Sequence, residues 1–173
     1  FADLRKASPD PGIVDVFCIK YDYHNAKVLL KAAAMGTDPA GLFIDAGRYP
    51  ARQLREDFER EDLDHCTPVF RQAVAEARGV LASSADPQAA DLILDRAYYE
   101  EMLQAAESVN SRILEGYVRL SIDSANLRSA VRSARMGKGA DFLRRALIPG
   151  GNVSLDSITA AVTGRGELTQ VFS

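Results

Sequence analysis

Tryptophan is absent from the 173 residues, and cysteine, histidine and methionine number only 2, 2 and 3. Two isolated cysteines, Cys18 and Cys66, cannot build a disulfide framework and are read as reduced thiols. His24 and His65 have no ligand spacing to the cysteines or to each other, which argues against a zinc site. No apolar run approaches the roughly 20 residues of a membrane-spanning helix. β-branched residues are few and never alternate with polar ones over a useful length, so no strand is predicted. The phosphate-cradling patterns GxxxxGK(S/T) and GxGxxG are missing as well. None of these features argues for catalysis, and no cofactor is expected.

What remains is 47% hydrophobic and 26% charged, the balance of a globular chain. The net charge of −3 conceals an uneven distribution. Residues 86–115 hold seven acidic side chains against Arg96 and Arg112, whereas residues 119–145 hold seven basic ones against Asp123 and Asp141. Neighbouring helices therefore carry opposite fields. A negative total, no tryptophan and no nucleic-acid motif argue against a nucleic-acid partner.

The chain repeats itself. Residues 19–36, IKYDYHNAKVLLKAAAMG, return as LSIDSANLRSAVRSARMG at 120–137. The shared offset places Asp22 on Asp123, Asn25 on Asn126, Lys27 on Arg128, Lys31 on Arg132 and Gly36 on Gly137. Further along, GRYPARQL at 47–54 answers GNVSLDSI at 151–158, three residues later in phase, the kind of insertion a loop tolerates. A period near 100 in a chain of this length makes one complete unit plus the end of another, so the chain is expected to be part of something larger.

Helix signals dominate. A helix is predicted from residues 13–15 to Met35, stopped by Gly36, then a short helical turn over 39–44 and a helix over 51–61 begun by Pro50. Thr67-Pro68 and Asp86-Pro87 are N-cap and first-turn pairs for helices over 69–82 and from 87 to about 108. After a turn near Asn110, helices follow over 112–136, 141–147 and, behind the N-cap Ser154, to about residue 162; residues 164–173 show no pattern. The predicted fold is all-α, tandem pseudo-repeats of long antiparallel helices with short capping helices. By repeat phase, residues 1–60 end a first unit, 61–163 form a second, and 164–173 are a loose tail or the start of a third.

In both copies of the block, Asp22 and Asn25, or Asp123 and Asn126, share one helical stripe with small residues, while Lys27 and Lys31, or Arg128 and Arg132, lie opposite. A carboxylate and an amide on such a stripe suit helix packing through hydrogen bonds to a neighbour's backbone. The basic stripe, to which Arg135 belongs, reads either as a solvated face or as a surface for an acidic partner. His24 becomes Ala125 in the second copy, which removes it from any shared site. Asp91 and Asp95, at i and i+4, have the spacing of a divalent-ion pair but no second carboxylate cluster.

Four segments, KYDYHNAKVLLK (20–31), DLILDRAYYEEML (91–103), YVRLSIDSANLR (117–128) and LIPGGNVS (147–154), taken in order, resemble the C subunit of archaeal and bacterial V/A-type ATP synthases, the counterpart of the d subunit in the eukaryotic vacuolar proton pump. The resemblance covers most of residues 15–163. It implies a funnel of three similar helical units, of roughly twice this length, without enzyme activity of its own. Such a funnel would sit on the membrane rotor ring at the cytoplasmic face, peripheral to the membrane, and receive the central stalk. Lys27, Lys31, Arg128, Arg132 and Arg135 are then the expected partner-binding residues. The rival readings are an unrelated helical adaptor and a metal-dependent enzyme using Asp91 and Asp95.

Overall fold

The computed structural model describes residues 7, 8, 10–165 and 171, Arg165 by its backbone alone. All regular structure among the described residues is helical, and the all-α expectation holds. Residues 1–110 form one compact unit with helices α1 (Pro11–Met35), α2 (Ala51–Arg60), α3 (Pro68–Ser84) and α4 (Pro87–Ser108). Residues 111–173 form a second, with α5 (Arg112–Arg135), α6 (Ala140–Ala146) and α7 (Leu155–Ala160), the last running into a π-helical turn, Ala161–Arg165.

The helix ends are written in short side chains. The Asp10 carboxylate accepts from Gly12 N–H, Thr67 from Phe70 N–H, Asp86 from the N–H groups of Gln88 and Ala89, and Ser154 from Ser157 N–H. Each such cap contributes about 1 kcal/mol by satisfying a donor the helix itself leaves free. Gly36 closes α1 at φ 63°, a left-handed turn that costs glycine nothing.

Two local expectations change. Pro50 caps α2 instead of opening it. The predicted helical turn over 39–44 is a single turn closed by Leu42 N–H on Pro39 O, whereas its counterpart in the second copy is the two-turn helix α6. Gly41, at φ 82°, breaks the first copy where the second has Phe142 and continues. The expected loose tail falls outside the described residues apart from 164, 165 and 171.

Repeat phase and compactness divide the chain differently. The repeat reading expects a boundary at 60/61, whereas the compact units part between Asn110 and Ser111. The reason is that α1 is buried on two sides. Tyr23, 2% exposed, packs edge-on against Phe70 of α3 with ring centroids 5.2 Å apart, and against Tyr98 of α4 at 6.0 Å. Val16, Ile19 and Leu30 join it on that face, and burying each aliphatic or aromatic side chain stabilises by roughly 1.5–3 kcal/mol. The other face of α1, with Asp22, Asn25 and Leu29, takes the loop that follows. In the second unit Ala130, Leu143, Leu147 and Ile158 form the core, with Val153, Leu155 and Val162 against it.

Candidate functional site

The repeated Asp and Asn are buried and do the same thing twice. Asn25 donates from Nδ2 to Ile44 O and accepts from Ile44 N–H, both at 2.9 Å. Asn126 does this with Ile148, both at 2.8 Å. A side-chain amide thereby replaces a strand neighbour for one loop residue, satisfying its two backbone groups at once.

One turn earlier on each helix, the aspartate receives the next stretch of the same loop. Asp22 accepts from Tyr49 N–H at 3.2 Å, and Asp123 from Val153 N–H and Asn152 N–H, both at 3.1 Å. The loop comes this close because it carries glycine there: a Cβ on Gly47 would fall onto Asp22 Oδ1, and one on Gly151 onto Asp123 Oδ1. Both copies thus consist of an Asp, an Asn and a glycine that pin a loop across a helix.

The copies differ in what meets the carboxylate. In the second, Asn152 Nδ2 donates to Asp123 Oδ2 at 2.9 Å. In the first, the corresponding residue is Arg48, whose Nε lies 2.7 Å from Asp22 Oδ2 and whose other end reaches Glu101 of α4 at 3.0 Å. Glu101 also accepts from the Thr67 hydroxyl, and Thr67 N–H donates to Tyr49 Oη at 3.0 Å. One guanidinium therefore ties α1, its loop, the start of α3 and α4. Burial pushes the Asp22 carboxyl up to about 6, against the downward pull of Arg48 and the Tyr49 N–H. Burial also disfavours the Arg48 cation, but Glu101 and Asp22 outweigh it and hold its pKa above the ordinary value.

On the far side of α1, Lys27 Nζ is 2.6 Å from Asp95 and Lys31 Nζ 2.8 Å from Asp91. The two lysines and the two carboxylates that suggested a metal pair meet each other, in antiparallel order, as a clamp between α1 and α4. In the second unit Arg128 donates to Ser124 Oγ at 2.8 Å on its own helix. Arg132 and Arg135 are exposed in the last turn of α5, and no carboxylate among the described residues pairs with them. The pinned Asp–Asn pairs and the two basic pairs lie on opposite sides of their helices, as the sequence spacing placed them.

The family profile described as ATP synthase (C/AC39) subunit matches residues 1–171. The chain belongs to this family. Among its relatives, the C subunit of a V-type sodium ATPase from Enterococcus hirae is 24% identical over 164 residues, which is 95% of this chain and 50% of that protein. The C subunit of a V-type ATP synthase from Thermus thermophilus is 26% identical over 132 residues, 74% of this chain and 41% of that one. The C subunit of an A-type ATP synthase from Desulfurococcus sp. is 37% identical over 152 residues, 85% of this chain and 42% of that one. The chain spans about half the length, or somewhat less, of the relatives it matches.

In this family member no group of three or more His, Cys, Asp or Glu side chains among the described residues is arranged to hold a metal. No helix among them is long and apolar enough to cross a membrane. Cys18 and Cys66 are buried thiols, and burial pushes the Cys66 thiol up to about 12. Sequence reasoning missed Arg48 and Glu101, and it read Thr67 as an N-cap without its bond to Glu101. Only the Arg48 position was within reach of the repeat, which aligned it with Asn152 but could not reveal its partners 26 and 53 residues away.

Proposed function

We propose that the chain is part of a non-catalytic coupling subunit of a rotary V/A-type ATPase or ATP synthase, linking the central stalk to the membrane rotor ring. The observation that carries this reading is the family match over residues 1–171, with relatives named as C subunits of V-type and A-type enzymes. The physical character of the chain supports it. Long helices crossed by loops, each held through buried Asp and Asn side chains, resist bending better than helices packed on apolar contact alone. A part that passes torque needs that stiffness and no reactive group. In this reading the protein lies at the cytoplasmic face, peripheral to the membrane.

Arg135 is the candidate contact for an acidic partner. Lys27 and Lys31 face α4, and Arg128 and Arg132 occupy the matching register of α5. The test is purification of the tagged natural polypeptide from membranes. Recovery of rotor-ring and central-stalk proteins with it is the expected result, and their absence would overturn the coupling role. A charge reversal at Arg135 should weaken that recovery while leaving helical content unchanged.

A further inference from the structure

The corner that joins α5 to α6 carries charge that its twin lacks. Gly137, at φ 61°, turns the chain at the end of α5, and Lys138 N–H closes on Ser133 O at 3.0 Å. Around this turn stand Arg135, Lys138, Arg144 and Arg145, all exposed, against one carboxylate, Asp141. Both α6 arginines lean back along the helix towards the turn, with Arg145 Nε 3.4 Å from Asp141 O and Arg144 Nη1 3.8 Å from Asp141 Oδ1. That ion pair, 67% and 96% exposed at its side chains, is too open to cancel the positive field. Two apolar side chains stand among the cations. Met136 is 52% exposed, and Lys138 Nζ lies 5.7 Å from the centre of the partly exposed Phe142 ring.

The first copy builds the same corner without a cation. Residues 34–44 hold one charged side chain, Asp38, yet Gly36 turns at φ 63° and Thr37 N–H closes on Ala32 O at 3.0 Å. The turn therefore folds without the cations. Ala33, Ala34, Met35 and Thr37 also stay exposed although α4 packs along α1, so a helix lying against the long helix leaves this corner open.

We propose that the α5–α6 corner docks on a bilayer surface through its anionic headgroups. Each cation near such a surface raises partitioning about fivefold, so four in one corner give reversible attachment. The apolar pair favours lipid over an acidic protein. Met136 and Phe142 stand where they can enter the headgroup boundary while the cations around them meet phosphates and carboxylates. The long stems of Lys138, Arg144 and Arg145 suit headgroups that move, since they keep the charged end in reach as the apolar part settles. The contact needs neither ring nor stalk, and so goes beyond the coupling role.

The test mixes the natural polypeptide, purified alone, with vesicles of phosphatidylcholine and phosphatidylserine. Cosedimentation at low salt is expected, with none on phosphatidylcholine alone and a steep loss as salt rises. Lys138→Gln with Arg145→Gln should lower the partition coefficient about 25-fold, two cations at about fivefold each. Lys138→Arg with Arg145→Lys should leave it unchanged, which separates lost charge from lost folding. Met136→Ser should weaken binding without altering its salt dependence. Arg52→Gln with Arg60→Gln, which removes two exposed cations of α2, should have no effect. Equal losses from the α2 pair and the corner pair would overturn the proposal by reducing the attraction to net charge. So would a chain that ignores anionic vesicles yet still recovers ring and stalk proteins, a result that leaves the coupling role standing.

Discussion

Asn126 and Ile148 are joined by a closed pair of hydrogen bonds, and Asn25 and Ile44 by the same pair, although the separation is 22 residues in one case and 19 in the other. The loops differ in length and in local structure, yet each returns one residue to the same amide. The point of attachment is retained while the path to it varies.

Asn126→Ala or Asn25→Ala therefore strands a loop N–H and C=O together. Each is expected to cost about 1–3 kcal/mol, the penalty for buried backbone groups without partners. Urea unfolding of the two single variants measures it. A change under a few tenths of a kcal/mol would mean that water replaces the amide at no cost.

Gly151 is close-packed on Asp123, so Gly151→Ala should destabilise by about 1–3 kcal/mol through overpacking. The cost should shrink in an Asp123→Ala background, where the clash with the carboxylate is gone. A double-mutant cycle reads the coupling between the two positions. Simple additivity would show that the backbone at 151 is strained for another reason.

Asp22 gives a pH prediction with a definite sign. Its carboxyl is raised from 3.8 to about 6 in the folded chain, first by burial. Between those values the folded state holds a proton that the unfolded state has lost, so this group's contribution falls as pH rises through that window and is level above it. Asp22→Asn cannot titrate. The stability of the parent minus that of the variant should therefore decline from about pH 4 to about pH 6. A difference that grows with pH would mean that Arg48 governs the carboxylate more strongly than burial does.

Lys27 and Asp95 are 26% and 43% exposed at the side chain, which limits the worth of their ion pair. Removing it should cost about 0.2–1 kcal/mol at low salt. Lys27→Glu alone sets like charges together and should cost more than Lys27→Ala, and Lys27→Glu with Asp95→Lys should recover most of the loss. Thermal melts at low and high ionic strength test this, because the effect should fade as salt screens the pair.

Much of the fold was legible because its signals are local. Thr67-Pro68, Asp86-Pro87, Ser154 and Gly36 each act within a few residues of themselves, and the helices begin or end where they stand. The Asp and Asn of the cradles were legible for another reason, since the chain carries its own second copy. The ionic centre was not. Arg48 meets Asp22 and Glu101 only because the loop crosses α1 at one angle and α4 lies beside it, and no periodicity encodes that meeting. Lys27, Lys31, Asp91 and Asp95 were all singled out, but as two separate surfaces. Spacing places residues on a face, and only packing decides which faces join.

Both thiols of the chain, Cys18 and Cys66, belong to residues 1–110, are at most 5% exposed, and are accompanied by no tryptophan anywhere. The protein thus comes fitted with a clock for one of its two units. Alkylation of the native thiols counts openings of the first unit alone, because both are buried and Cys66, held near 12, forms almost no thiolate until it is released. A single tryptophan introduced at Phe142 would be the only such emitter and would report the second unit in the same sample. The order in which the two units come apart can then be timed in one experiment.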